Sequence, residues 1–165
     1  MAIVYNAKEV LEMAQQIERN GAAFYRKAAG LKEESREFLL KLAGMEDEHE
    51  KTFAQMAGEL GAEEQKQTAF DPDNETQLYL DAMADAHGGE GAPSIADSLT
   101  GEETVEKILN TAIELERKSI LFYVGLKDMV PARFGQDKID HIIDEEKSHV
   151  AVLAKHLKTV KEGAQ

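Results

Sequence analysis

Two stretches, Glu46-Asp47-Glu48-His49 and Glu146-Lys147-Ser148-His149, carry the same Glu-x-x-His spacing one hundred residues apart. Both sit inside long helical patterns, where residues three apart share a face about one turn along the axis. Phase decides what that face is. Around the first motif the apolar stripe reads Phe38, Leu42, Met45, Phe53, Met56 and Leu60, with Glu46 and His49 filling the gap in it. Around the second it reads Ile139, Ile142, Leu153, Leu157 and Val160, with Glu146 and His149 in the gap. The 3.6-residue period therefore assigns a carboxylate and an imidazole to the core on each of two helices. A buried, unpartnered carboxylate is very costly. Repeating it at one spacing calls for a compensating positive charge inside, which a metal ion supplies most simply.

The remaining helices follow from caps and breakers. Asn6 and Glu9 form a capping-box pair opening a first helix that runs to about Gly30. Its inward positions include Val10, Ala14, Ile17, Gly21, Phe24 and Ala28, with Leu11, Glu18 and Tyr25 on the adjoining strip. A second helix spans about Lys32 to Leu60 and stops at Gly61. The segment from about 62 to 101 holds a concentration of turn signals, Asp71-Pro72-Asp73-Asn74, Gly88-Gly89 and Gly91-Ala92-Pro93-Ser94. Within it Glu75 to His87 reads as a short helix whose apolar face is Leu78, Tyr79, Ala82 and Met83. Thr100 and Glu103 open a third long helix, which reaches about Met129. Pro131 and Gly135 break the chain before a fourth, from about Gln136 to Lys161.

Two helix pairs around a long connector suggest a repeat, and the residues support one. Ile17-Glu18-Arg19 with Phe24-Tyr25 in the first helix matches Leu115-Glu116-Arg117 with Phe122-Tyr123 in the third. From Glu18 to Glu46 is 28 positions and from Glu116 to Glu146 is 30, so the halves stay nearly in register. The expected fold is all-α: one domain over residues 1–165, a four-helix bundle of two helical hairpins joined by a long crossover with a short helix. The repeat also adds Glu18 and Glu116 to the two Glu-x-x-His pairs, giving four carboxylates and two imidazoles.

Composition narrows the chemistry further. The chain has no cysteine, so any metal is held by oxygen and nitrogen, and thiolate zinc, iron–sulfur and cysteine-nucleophile chemistry are excluded. A formal charge of −13 argues against nucleic acid or an anionic membrane as partner. No apolar run approaches a membrane span and no signal-peptide pattern opens the chain, so the expected location is the cytoplasm.

Four carboxylates and two imidazoles on four helices form the arrangement of ferritin-like di-iron and di-manganese proteins. Over about residues 6–61 and 102–161 the chain resembles the rubrerythrin branch of that superfamily. The resemblance implies terminal ligands Glu18 and Glu116, bridging ligands Glu46 and Glu146, and one imidazole, His49 or His149, on each metal. It implies two iron ions, with manganese or zinc as alternatives, reacting with hydrogen peroxide or dioxygen, and a homodimer. Four carboxylates would also neutralise two divalent cations, and hard oxygen donors with some imidazole favour iron or manganese. Two departures stand out. Full-length rubrerythrins carry a cysteine-rich rubredoxin module, so here the electron donor would be another protein, such as a rubredoxin. They also carry a glutamate where this chain has Ser119, so the ligand swap attributed to that glutamate, and the efficiency of peroxide reduction that goes with it, do not carry over from the resemblance.

Blander readings compete at each point. One Glu-x-x-His could be a solvated acidic face; two at core phase, each with a phased glutamate on a partner helix, favour a metal site. Asp47, Glu48, Asp144 and Glu145 fall off the ligand face, although one could support a ligand imidazole. Tyr25 and Tyr123, two turns beyond the lone glutamates, are either phenols serving the site or core tyrosines satisfied elsewhere. His156 lies about 10 Å along the helix from His149 and reads as structural; His87 and His141 read as exposed. Met13, Met45, Met56 and Met83 read as core filler. Two other functions remain open: iron storage without turnover, which needs a cage, and a metal-free interaction bundle.

Overall fold

The computed structural model describes residues 6–62, 75, 78, 79, 82, 94–130 and 132–163. Four long helices carry these residues: α1 (Ala7–Leu31), α2 (Arg36–Glu59), α3 (Val105–Met129) and α4 (Gln136–Gly163). Asn6 caps α1 as its sequence implies, its side chain accepting from Glu9 N–H while Glu9 returns a bond to the Asn6 backbone. A 3-10 turn at Glu33–Ser35 joins α1 to α2, and another at Ala132–Phe134 joins α3 to α4. Gly135 adopts φ +109, a left-handed conformation that suits glycine, and its carbonyl accepts the first bonds of α4 from Lys138 and Ile139. The first connector covers 32–35 and the second 130–135, so the two extra residues between Glu116 and Glu146 lie in the turn. Helix-to-helix register is kept.

Helix α3 begins later than its sequence suggested. Thr100 and Glu103 do bond to each other: Glu103 accepts from the Thr100 N–H and hydroxyl and from Gly101 N–H, which hold its carboxyl down to about 2. That turn stands alone, however. Gly101 takes φ +96, and the helix starts only after Thr104, whose hydroxyl accepts from Lys107 N–H. Two Thr-led caps follow one another, and the backbone uses the second. In the crossover, residues 75, 78, 79 and 82 are helical. Leu78 and Ala82 are exposed rather than inward, while half-buried Tyr79 donates its hydroxyl to the Leu121 carbonyl of α3. Met83 and His87 lie outside the described residues.

Two apolar layers fill the bundle. One joins the start of α1, the end of α2, the end of α3 and the start of α4 through Val10, Phe53, Leu126 and Ile139. The other joins the opposite ends through Ala28, Leu39, Ile108 and Leu153. Helices α2 and α3 thus end at the same pole, so α3 starts at the pole opposite the end of α2. Leu60 accordingly packs in the first layer, and Ala96 and Leu99 in the second. Between the layers, near the middle of each helix, lie the polar residues that periodicity assigned to the core. Among the described residues no helix is long and apolar enough to cross a membrane.

Candidate metal centre

Each helix contributes to the centre at its inward phase: Glu18 from α1, Glu46 and His49 from α2, Glu116 from α3, Glu146 and His149 from α4. All six are buried, none more than 4% exposed, so water cannot solvate their charges. They fall into two overlapping groups, Glu18, Glu46, His49, Glu146 and Glu46, Glu116, Glu146, His149, each offering one donor atom per residue within 4.8 Å of the others. Glu46 and Glu146 belong to both.

The imidazoles aim the same nitrogen inward. His49 Nδ1 lies 3.0 Å from Glu146 Oε1 and 3.6 Å from Glu18 Oε2. His149 Nδ1 lies 3.0 Å from Glu146 Oε2, 3.2 Å from Glu46 Oε1 and 3.6 Å from Glu116 Oε1. The rings stack at 5.6 Å between centroids. Tyr25 and Tyr123 bond across the repeat. Tyr25 of α1 donates its hydroxyl to Glu116 of α3, and Tyr123 of α3 donates to Glu18 of α1. Each phenol thus steadies the lone glutamate of the other hairpin.

The electrostatics are those of an overcrowded anion site. Burial, then the facing Glu146 charge, raises the Glu18 carboxyl; burial, then Glu116 and Glu18, raises that of Glu46. Glu146 is pushed up to about 8 by burial and by the Glu46 and Glu116 charges. Burial pushes Glu116 up too, but its bonds to His149, Glu146 and Tyr25 outweigh that and leave it lowered. Burial pulls both imidazoles down, yet the surrounding carboxylates win, raising His49 to about 11 and His149 to about 12. Burial and adjoining carboxylates also raise both phenols, so they stay protonated donors. Even so, among the described residues Glu18 Oε2, Glu46 Oε1 and His149 Nε2 are buried with no hydrogen-bond partner. Orphaned carboxylate oxygens facing one point fit divalent cations well, since two such ions would neutralise four carboxylates.

The surroundings add residues that sequence phase left ambiguous. Glu145 Oε2 lies 3.2 Å from His49 Nε2, so this acidic residue reaches across to an imidazole on the facing helix. Its neighbours behave as solvated charges: Asp47 pairs with Arg26, Glu48 with Lys51 and Asp144 with Lys147. His141 is exposed, while His156 stacks on Phe38 and bonds Ser35, away from the cluster. Ser119 returns its hydroxyl to the Leu115 carbonyl at 3.1 Å. Gly21, also inward, leaves room for the Glu46 carboxylate, whose Oε2 would lie 3.3 Å from a Cβ placed there.

Comparison with known proteins gives two matches. The sequence model of the family described as Rubrerythrin matches residues 9–104, a span that includes Glu18, Glu46 and His49. Among solved structures, the chain is similar to a Thermotoga maritima protein whose description places it with ferritin-like diiron-carboxylate proteins. The two are 24% identical over 96% of this chain and 98% of that one, with a TM-score of 0.73. At that identity the likeness shows the fold, a ferritin-like four-helix bundle. No curated protein matches the chain.

Proposed function

The chain belongs to the rubrerythrin family, and from that premise we propose that its buried cluster holds two iron ions and reduces hydrogen peroxide or dioxygen. The observation that carries the reading is the pair of four-residue groups sharing Glu46 and Glu146. On this reading Glu18 and His49 would hold one ion, Glu116 and His149 would hold the other, and Glu46 and Glu146 would serve both. Four oxygen donors with two imidazole nitrogens suit iron, with manganese or zinc as competitors. When bound, the metal pair supplies two electrons, enough with two protons to turn one peroxide into two waters.

The protein's own residues set the conditions. Apolar layers above and below exclude water from the cluster. Tyr25 and Tyr123 hold the lone glutamates by their hydroxyls, and both imidazoles turn Nδ1 inward. Residues 1–165 hold no cysteine to bind a rubredoxin-type iron, and we propose a separate donor such as a rubredoxin as the source of electrons.

Anaerobic ferrous titration of metal-free protein tests this reading. Two ions per chain are expected, followed by oxidation on adding peroxide or dioxygen; the faster reaction names the oxidant. Glu46→Ala and Glu146→Ala should each abolish the pair, because a shared ligand serves both ions. Saturation at one ion or none, or two tight ions surviving in either variant, defeats the proposal.

A further inference from the structure

The two halves of the cluster offer the same donors, but their imidazoles are not held alike. His49 has Nδ1 in the cluster and Nε2 against Glu145 Oε2 at 3.2 Å. His149 has Nδ1 in the cluster at the same 3.0 Å from Glu146, but its Nε2 is buried with no partner among the described residues. Register supplies the reason. The shift that maps Glu46 onto Glu146 and His49 onto His149 also maps Met45 onto Glu145. Where the second hairpin has a carboxylate, the first has a thioether, a weak acceptor at best.

A carboxylate on the far nitrogen of a metal-binding imidazole fixes its tautomer and ring orientation and makes it a stronger donor. Removing such a partner typically costs about 10- to 100-fold in metal affinity. Glu145 also occupies a second position of consequence. It lines an open cleft of about 420 Å³ together with Thr52, Gln55, Asp137 and His141, and it lies 3.5 Å from the exposed His141 ring. The supported imidazole is therefore also the one whose outer edge is connected to this open cleft through a polar side chain.

We infer that the two metal positions are unequal: the first divalent ion settles with His49, Glu18 and the shared glutamates, with Glu145 as the positioning residue, and the second joins at His149. The inference rests on the dimetal reading and deepens it. The two positions should differ by about 10- to 100-fold in affinity. Pseudo-symmetry of the ligands conceals a fixed order of loading.

Manganese(II) titration of the metal-free protein, followed by electron paramagnetic resonance, separates the possibilities. In the wild type, lone-ion signal should grow up to one equivalent, and spin-coupled pairs should appear only beyond it. Glu145→Ala should merge the two steps, with pairs forming from the first additions, whereas Glu145→Gln keeps a carbonyl acceptor and should preserve the order. A role confined to structure would weaken both steps together. His149→Ala should retain the tight ion and His49→Ala should lose it, and melting of each metal-free variant reports whether it folds. Pairs forming from the start in the wild type, or an order untouched by Glu145→Ala, overturn the inference while leaving the dimetal reading intact. Absence of any bound ion defeats that reading and this inference with it.

Discussion

In the first hairpin Gly21 follows Glu18 by one helical turn and Met45 precedes Glu46; in the second, those places hold Ser119 and Glu145. The cluster residues and their tyrosines match: Glu18 with Glu116, Tyr25 with Tyr123, Glu46 with Glu146, His49 with His149. The contrast has a physical sense. Glu46 and Glu146 belong to both four-residue groups, and each tyrosine serves the glutamate of the opposite hairpin. A change at any of these is felt across the repeat, so the pair must stay matched. Glu145 instead meets His49, which belongs to one group alone, and there the halves are free to differ.

The matched part is tested most severely by removing metal and varying pH. Without cations the cluster balances its charge with protons: His49 holds one up to about 11, His149 up to about 12 and Glu146 up to about 8. Glu18 and Glu46 are raised as well, and Glu116 alone is lowered. A raised pKa means that the native state keeps a proton the unfolded chain has already released, so stability falls as pH rises through the interval. For Glu146 that interval runs from 4.5 to about 8, and for His49 from 6.5 to about 11. Chelated protein should therefore lose stability steadily from mildly acidic to alkaline pH; Glu116, being lowered, acts only below its ordinary 4.5, outside that range. Cations displace those protons, so the stability gap between loaded and chelated protein should widen with pH, and loading near neutrality should release protons. Melting curves with chelator or manganese, and proton release in weak buffer, check both. A gap that narrows as pH rises would show that the six residues do not act as one cluster.

A more local break in the symmetry comes from the tyrosines. Tyr25→Phe and Tyr123→Phe keep the rings in place but remove the donors to Glu116 and Glu18. A hydrogen bond to a charged group contributes about 1.5–3 kcal/mol, so each variant should lose stability of that order in denaturant unfolding of loaded protein. Reciprocal placement predicts similar losses. If one variant is costly and the other neutral, the tyrosines are not counterparts, and the matched set shrinks to the six cluster residues.

How much of this could be read from the sequence depended on whether the information was periodic. Glu18, Glu46, His49, Glu116, Glu146 and His149 were legible because each sits at core phase in a long amphipathic helix, where a charged side chain is conspicuous. The Tyr25–Glu116 and Tyr123–Glu18 bonds were not, because phase gives the face of a helix and not which neighbour it meets. Glu145 was one of four candidates to support an imidazole, and phase could not single it out: it falls off the cluster face of its own helix yet reaches His49 on another. The start of α3 was misplaced because Thr100-x-x-Glu103 is a genuine hydrogen-bonded turn that Gly101 and the Thr104 cap keep out of the helix. Outward-facing Leu78 shows the weakness of a short apolar pattern, since the crossover touches α3 through Tyr79 instead.

The smallest expected effect falls at the place where the first hairpin has a glycine and the second a serine, Gly21 against Ser119. A glycine inside a helix costs about 0.5–1 kcal/mol relative to alanine, so Gly21 needs a reason. Gly44 provides the control, because a Cβ there meets nothing within 4 Å. Gly44→Ala should stabilise the protein by about 0.5–1 kcal/mol and leave metal binding unchanged. At Gly21 the same methyl would lie 3.3 Å from Glu46 Oε2 and 3.6 Å from its Cδ and Cγ, so the carboxylate must give way by a few tenths of an ångström. Ser119, the counterpart in the second hairpin, already has a Cβ and turns its hydroxyl back to Leu115, so the requirement belongs to the Glu46 side alone. Gly21→Ala should therefore gain less than Gly44→Ala when metal-free and weaken both ions together, since Glu46 is shared. If Gly21→Ala matches Gly44→Ala in melting temperature and in manganese affinity, the clearance around Glu46 is not what keeps a glycine there.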